Sequence, residues 1–301
     1  MTPDIPGSET GRLVPVRNGP GVRRPILERE HELAVLAGAA RDAAGGAGCV
    51  ALVFGEAGIG KSSLVEAVRT HLPAEGRMLV GYCDDLATKR PFGPLRDLVG
   101  SVGTELAQAL RDGSDQDRVL AALRVELDWP GHPTVLVMED VHWADDATLD
   151  ALQFLVRRVD RLPAVLVLTY RDDELTHEHP VQSLLGMASG VDRIHRLPLR
   201  RLSAEAVRQL SAVSQLDPDR VYAVTSGNPF FVTEVLRSDG DAAVPPTVID
   251  AVLARFRRLD RSTREVVEQL AVVPSTLDRW LVDALVPPVL PRWRRPSSGG
   301  C

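Results

Sequence analysis

The sequence is poor in cysteine. Only Cys49, Cys83 and Cys301 occur in 301 residues, scattered and odd in number. They offer no disulfide framework and no metal-ligand spacing, and they suit a reducing compartment, so a cytoplasmic location is expected. No apolar run approaches the roughly 18 residues that a membrane helix needs, which argues against a helical spanning protein. The first 25 residues, MTPDIPGSETGRLVPVRNGPGVRRP, lack the apolar stretch of a secretory leader. An excess of basic charge is also missing: 35 Lys and Arg face 41 Asp and Glu, a net charge of −6. A chain whose main task is to grip nucleic acid needs a basic surface for the phosphates, so specific DNA binding is not expected. Lysine is nearly absent, with Lys61 and Lys89 alone among the 35 basic residues. Arginine preference of this kind reads as codon bias in a GC-rich genome, yet it makes the position of Lys61 informative.

What is present is ordinary for a globular chain: 44% apolar and 25% charged residues. The length suits about two domains of roughly 150 residues each. Residues 1–25 are rich in Gly, Pro and Arg without periodicity and are expected to be disordered. A helical pattern over 27–44 ends at Gly45, Gly46 and Gly48. Four apolar runs of strand length follow at 49–55, 78–83, 134–140 and 164–170, with a fifth strand at 193–199. Such continuous apolarity suits strands buried on both faces of a parallel sheet. Helical stretches at 61–71, 92–111, 116–127 and 146–159 separate them, so the expected fold class is α/β, a parallel sheet flanked by helices. Beyond residue 200 the strands stop. Helical patterns at 203–213, 217–225, 229–238, 246–258, 262–272 and 277–286 lead to a proline-rich tail, 287–301, expected to be disordered.

Between the first strand and the next helix, Gly55 to Ser62 reads GEAGIGKS and fits G-x-x-x-x-G-K-[ST], the phosphate-binding loop. Glycines let the backbone curl until successive N–H groups face phosphate oxygens, and the helix N-terminus adds its positive dipole end. Candidate nucleotide-binding residues are therefore Gly55, Glu56, Ala57, Gly58, Ile59, Gly60, Lys61, Ser62 and Ser63. Lys61 would reach the β- and γ-phosphates and Ser62 would ligate Mg²⁺. The strand at 134–140 ends in Glu139 and Asp140, and hard Mg²⁺ takes carboxylate oxygens. One acid would hold the ion with Ser62 and the other would polarise water; the sequence leaves open which does which. Thr169 and Arg171 end the next strand, where ligands bind in open parallel sheets. Arg171 is a candidate sensor of the γ-phosphate, or a surface arginine. His142 and Trp143 either shape the site or cap the next helix with Asp145 and Asp146, and Arg157, Arg158 and Arg161 are an arginine finger or a solvated helix face.

These stretches, in this order, resemble the STAND branch of AAA-like P-loop ATPases, and most closely the ATPase module of large ATP-binding regulators of the LuxR type. LEREHEL (27–33) is similar to the opening motif that packs near the adenine. GEAGIGKSSL (55–64), CDDLATKRPFGPLRDL (83–98), VMEDVHWADDATLDAL (137–152) and LTYR (168–171) match the segments that follow. TSGNPFFVTEVLR (225–237) is similar to the Gly-x-Pro segment, whose proline lies against the nucleotide, which implies that role for Pro229. Residues 245–274 resemble the start of the winged-helix region. The resemblance implies an ATPase core over 26–200, a helical lid over 201–243 and a partial winged-helix region over 244–286. It implies slow hydrolysis of ATP with Mg²⁺, with self-association or a regulatory protein as partner. Relatives of this type continue through helical repeats to a C-terminal helix-turn-helix, so the chain reads as truncated and their DNA binding is not carried over. Glu28 stands where many of them have glycine. The alternative reading is a nucleotide-holding scaffold without turnover.

Overall fold

The computed structural model describes residues 14–17, 23–113, 115–238 and 245–271. Strands β1 (Val14–Arg17) and β2 (Arg23–Ile26) pair antiparallel within the stretch that lacks any periodicity. The main sheet is parallel throughout and follows the order β4-β5-β6-β3-β7. Its strands are β3 (Cys49–Phe54), β4 (Arg77–Tyr82), β5 (Thr134–Glu139), β6 (Ala164–Tyr170) and β7 (Ile194–Pro198). The expected α/β class and the parallel sheet flanked by helices are what the chain adopts.

Side chains alternate across a strand, so each central strand feeds two cores. On one face Leu52, Leu136, Met138, Leu166 and Leu168 pack under α3 (Gly93–Arg96), α4 (Thr104–Arg111), α5 (Gln116–Leu127), α6 (Asp146–Val156) and α7 (Val181–Ala188). On the other, Ala51, Val53, Val135, Val137, Val165 and Val167 pack under α1 (Glu30–Ala44) and α2 (Lys61–Val68). Both faces are thereby closed, and polar groups can work only at the edges and strand ends. The helical pattern expected over 92–111 is broken into α3, a 3₁₀ turn at Asp97–Gly100 and α4. Gly100 and Gly103 supply the break, as glycine weakens a helix interior.

Two compact units divide between Thr233 and Glu234. The change from strands to helices near residue 200 falls inside the first unit, which takes in α8 (Ala204–Ser211) and α9 (Pro218–Thr225). Helix α10 (Pro229–Arg237) carries the chain across the division. The second unit contains α11 (Pro246–Arg258) and α12 (Arg261–Leu270), the latter capped by Asp260, which accepts from the Thr263 N–H at 3.0 Å. The helix expected at 277–286 and the tail at 287–301 lie outside the described residues.

Asp145 ties the segment after β4 to the sheet. It caps α6 by accepting from the Thr148 N–H at 2.9 Å and the Thr148 hydroxyl at 2.6 Å. It also accepts from the backbone N–H of Phe92 at 2.9 Å and of Gly93 at 3.2 Å. Phe92 holds the left-handed conformation with φ +57°. Of the two readings open for residues 142–146, capping therefore belongs to Asp145, while Asp146 is the first residue of α6. Asp145→Ala removes a cap worth about 1 kcal/mol and orphans buried donors at about 1–3 kcal/mol. The expected loss is about 2–4 kcal/mol in urea unfolding, and a loss under about 1 kcal/mol would contradict this role.

Candidate nucleotide site

Parallel register sets the site. Phe54 is level with Tyr170 and Met138 with Leu168, so β3, β6 and β5 end together at one edge. The loop leaving β3 curls with positive φ at Gly55 (+146°), Gly58 (+78°) and Gly60 (+100°), and Gly60 is the N-cap of α2. Lys61 is buried at 7% exposure and its Nζ donates to the carbonyls of Gly55 at 2.8 Å and Glu56 at 3.2 Å. Burial lowers the Lys61 pKa, and the nearby Asp140 opposes that shift.

The two acids differ in their contacts. Glu139 is buried, and its Oε2 accepts from the Ser62 hydroxyl at 2.5 Å, joining the loop helix to β5. Burial raises its pKa; the Ser62 bond pulls it down and Asp140 pushes it further up. Asp140 sits in the left-handed region at φ +54°, and its N–H donates to the buried Thr169 hydroxyl at 2.9 Å. Its carboxylate lies 3.9 Å from Arg171 Nε. Burial raises the Asp140 pKa, against the pull of Arg171 and Lys61. Ser62 and Glu139 together present hard oxygen donors at a helix N-terminus, which fits a Mg²⁺ ion.

Arg171 reaches this edge but is engaged there. Its Nη1 donates to Glu174 Oε1 at 2.6 Å, and its guanidinium lies 4.6 Å from the centre of the Trp143 ring. His142 is part of the same cluster rather than a cap. Its Nε2 is 3.4 Å from Glu174 Oε2 and its Nδ1 is 3.9 Å from Asp140 Oδ1, and neither nitrogen has a hydrogen-bond partner. Arg157, Arg158 and Arg161 are not brought to the site. The turn carrying Arg161 meets Gly48 at the start of β3, the opposite end of the sheet, and Arg158 lies 3.9 Å from the Phe154 ring centre.

Pro229 opens α10 beside the loop, where the Phe230 N–H donates to the Gly58 carbonyl at 3.1 Å. Three partners of the loop escaped the sequence reading of the site. Asn228 donates to Ala57 and Glu56, Arg201 makes a bidentate pair with Glu56, and buried Arg29 donates to the Ile59 carbonyl at 3.2 Å and the Arg200 carbonyl at 2.5 Å. Glu28 is left-handed at φ +57°, which accounts for glycine being acceptable at such a position. Its carboxylate accepts from the Ser203 N–H and hydroxyl at 2.9 and 2.5 Å. A cleft of about 560 Å³ opens here, lined by Glu28, Arg29, Leu197, Pro198, Arg200 and Tyr222.

Comparison with known proteins bears on the fold. Residues 25–168 match the family model of the AAA ATPase domain. An uncharacterized protein of Rhizobium meliloti (strain 1021) is 24% identical over 334 residues, an alignment covering 87% of this chain. The chain spans 31% of the length of that protein. Among solved structures, the Walker-type ATPase of Pyrococcus abyssi is similar with a TM-score of 0.54 at 17% identity, covering 86% of this chain and 88% of that one. The ORC1 protein of Aeropyrum pernix, solved in complex with DNA, has a TM-score of 0.53 at 18% identity, covering 83% and 73%. The fold is that of the P-loop NTPases. The residues that match the AAA ATPase domain model all lie within the first unit.

Burial lowers the His142 pKa from the ordinary 6.5 to about 4, so the ring is neutral near pH 7. Protonation then favours the unfolded chain, and the contribution of His142 to stability is full above about pH 6.5 and lost as pH falls toward 4. Glu139 and Asp140, both raised, act with the opposite sign. His142→Phe should therefore gain stability relative to wild type between pH 8 and pH 5, read as the difference in urea midpoints. Parallel pH dependences for the two proteins would contradict the assignment.

Proposed function

We propose that this chain binds ATP with Mg²⁺ and hydrolyses it slowly, as the ATPase module of a STAND-type signalling switch of the kind found in large LuxR-type regulators. The observation that carries the reading is the Ser62–Glu139 hydrogen bond, which unites the phosphate loop with an acid 77 residues away. Lys61 and the backbone of 56–62 hold the phosphates. Ser62 and Glu139 would hold Mg²⁺, which when bound neutralises charge on the transferring phosphoryl group. Asp140, with its raised pKa and its backbone fixed by Thr169, orients and deprotonates the attacking water. Arg171 reads the γ-phosphate from its place beside Asp140. The cleft beside Glu28 and Arg29 takes the base, in keeping with the resemblance of 27–33 to the opening motif. Pro229 lies against the nucleotide, and α8–α10 act as its lid, followed by a partial winged-helix region in α11 and α12.

The order of the motifs over 26–286 supports the STAND and LuxR-type assignment. The net charge of −6 supports a module without specific DNA binding of its own, working in the cytoplasm through self-association or a regulatory protein. Among the described residues no helix is long and apolar enough to cross a membrane. The engagement of Arg171 by Glu174 favours, as a second reading, a nucleotide-holding scaffold without appreciable turnover.

Lys61→Ala removes the only lysine of the loop, and calorimetry should show ATP affinity reduced by at least about tenfold, or about 1.4 kcal/mol. Equal affinity in mutant and wild type would sink the binding assignment. Asp140→Asn should hold ATP within about threefold of wild type while losing about 100-fold or more of its turnover. Wild-type turnover in that variant removes Asp140 from the chemistry, and no turnover in wild type itself selects the scaffold.

A further inference from the structure

The chain returns to the outer side of the phosphate loop at Asn228, a residue only 1% exposed. Its Nδ2 donates to the Ala57 carbonyl at 3.1 Å and to Glu56 Oε1 at 3.1 Å. Its Oδ1 accepts from the N–H groups of Phe230 at 3.1 Å and Phe231 at 3.5 Å, capping the first turn of α10. The same Phe230 N–H also donates to the Gly58 carbonyl. A Cβ placed on Gly58 would lie 2.8 Å from Phe230 Cβ and 2.9 Å from Asn228 Oδ1. Gly58 is thus required by the approach of α10 as well as by its own φ of +78°. Glu56 is in turn gripped by Arg201 through two 2.7 Å bonds.

A loop that turns its N–H groups inward to an anion turns its carbonyls outward, and those carbonyls need partners of their own. Fixing an outward carbonyl fixes the plane of the peptide, and with it the direction of the N–H of the following residue. Asn228 holds the carbonyl of Ala57 and so orients the Gly58 N–H; the Phe230 N–H holds the carbonyl of Gly58, and the N–H of that same peptide, on Ile59, closes a turn onto the Glu56 carbonyl at 3.3 Å.

We propose that Asn228 is a positioning residue of the nucleotide site. It aims the Gly58 N–H of the phosphate loop from behind, by anchoring the Ala57 carbonyl to the start of α10. This rests on the nucleotide-binding reading above. Coupling is reciprocal, so phosphate held by the loop also holds the first turn of α10. The competing role is that of a helix cap alone. Two substitutions separate them. Asn228→Asp keeps the capping oxygen at the same length, loses both donors and sets a charge beside Glu56. Asn228→Ser keeps a capping oxygen and adds no charge.

The test uses the 301-residue chain, with hydrogen exchange in the absence of nucleotide and calorimetric titration with ATP. In both variants the Ile59 amide, which donates to the Glu56 carbonyl at 3.3 Å, should exchange about tenfold faster than in wild type, with β3 and β5 unchanged. ATP affinity should fall by about the same factor. Exchange and affinity within twofold of wild type would leave a cap alone and overturn the proposal. Faster loop exchange with unchanged ATP affinity, in a wild type that binds ATP, overturns it as well. Where Asn228→Asp fails to fold, or the two variants disagree, Asn228→Ser decides. The exchange arm needs no nucleotide. A wild type that binds no ATP therefore refutes the nucleotide reading, while the anchoring of the loop stands or falls on exchange.

Discussion

Strand β6 lies between β3 and β5, and most of the site follows from that insertion. Neighbouring strands are about 4.8 Å apart, so the phosphate loop and the two acids start about 10 Å from each other. No backbone hydrogen bond can join them. A side chain must bridge the gap, and one does so, while two more fasten Asp140 to the intervening strand. Ser62 spans it to Glu139, Thr169 on the intervening strand holds the Asp140 N–H, and Arg171 leaves the end of β6 toward the Asp140 carboxylate. The intervening strand thus supplies the fastening of an acid that belongs to its neighbour.

Because both faces of the sheet are sealed by apolar packing, the charged groups at this edge are pressed into partial burial. Burial disfavours the charged form, and it does so for both signs here: the lysine is pushed down, the carboxylates up. Lys61 and Asp140 oppose each other's shift, so each supplies part of the charge that keeps the other ionised. His142, without a hydrogen-bond partner at either ring nitrogen, takes the other course and gives up its charge. The cluster is held by mutual compensation among a few groups, so a single substitution in it is expected to shift more than one charge state.

The sheet was legible in the sequence because strands buried on both faces must be apolar without interruption, and 49–54, 135–138 and 164–168 are. The phosphate loop and the paired acids were legible because their spacing is short and local. What escaped depends on contacts between distant segments. Asn228 reads as a cap before a proline, and its donors to Ala57 and Glu56 exist only once α10 has returned across the loop. Arg29 looks like any exposed arginine of a helix start until Ile59 and Arg200 close over it. Which of Glu139 and Asp140 faces Ser62 was equally out of reach. The break between α3 and α4 was marked by Gly100 and Gly103, but a periodic pattern on both sides conceals it.

The left-handed backbone of Asp140 limits what evolution can place there. Side chains with a Cβ pay about 1–2 kcal/mol for that conformation, and asparagine and aspartate escape much of it through local hydrogen bonding. Glycine tolerates the backbone but brings no functional group, and asparagine brings an amide in place of an acid. A position that turns left and carries a carboxylate favours the shorter acid, although Glu28 at φ +57° shows that the longer one is also accommodated. On β5 itself, where the backbone is extended, either acid would be accommodated, and there the chain carries Glu139. The order Glu-Asp is on this account a property of the turn at the end of the strand, favoured before any chemistry selects between the two carboxylates.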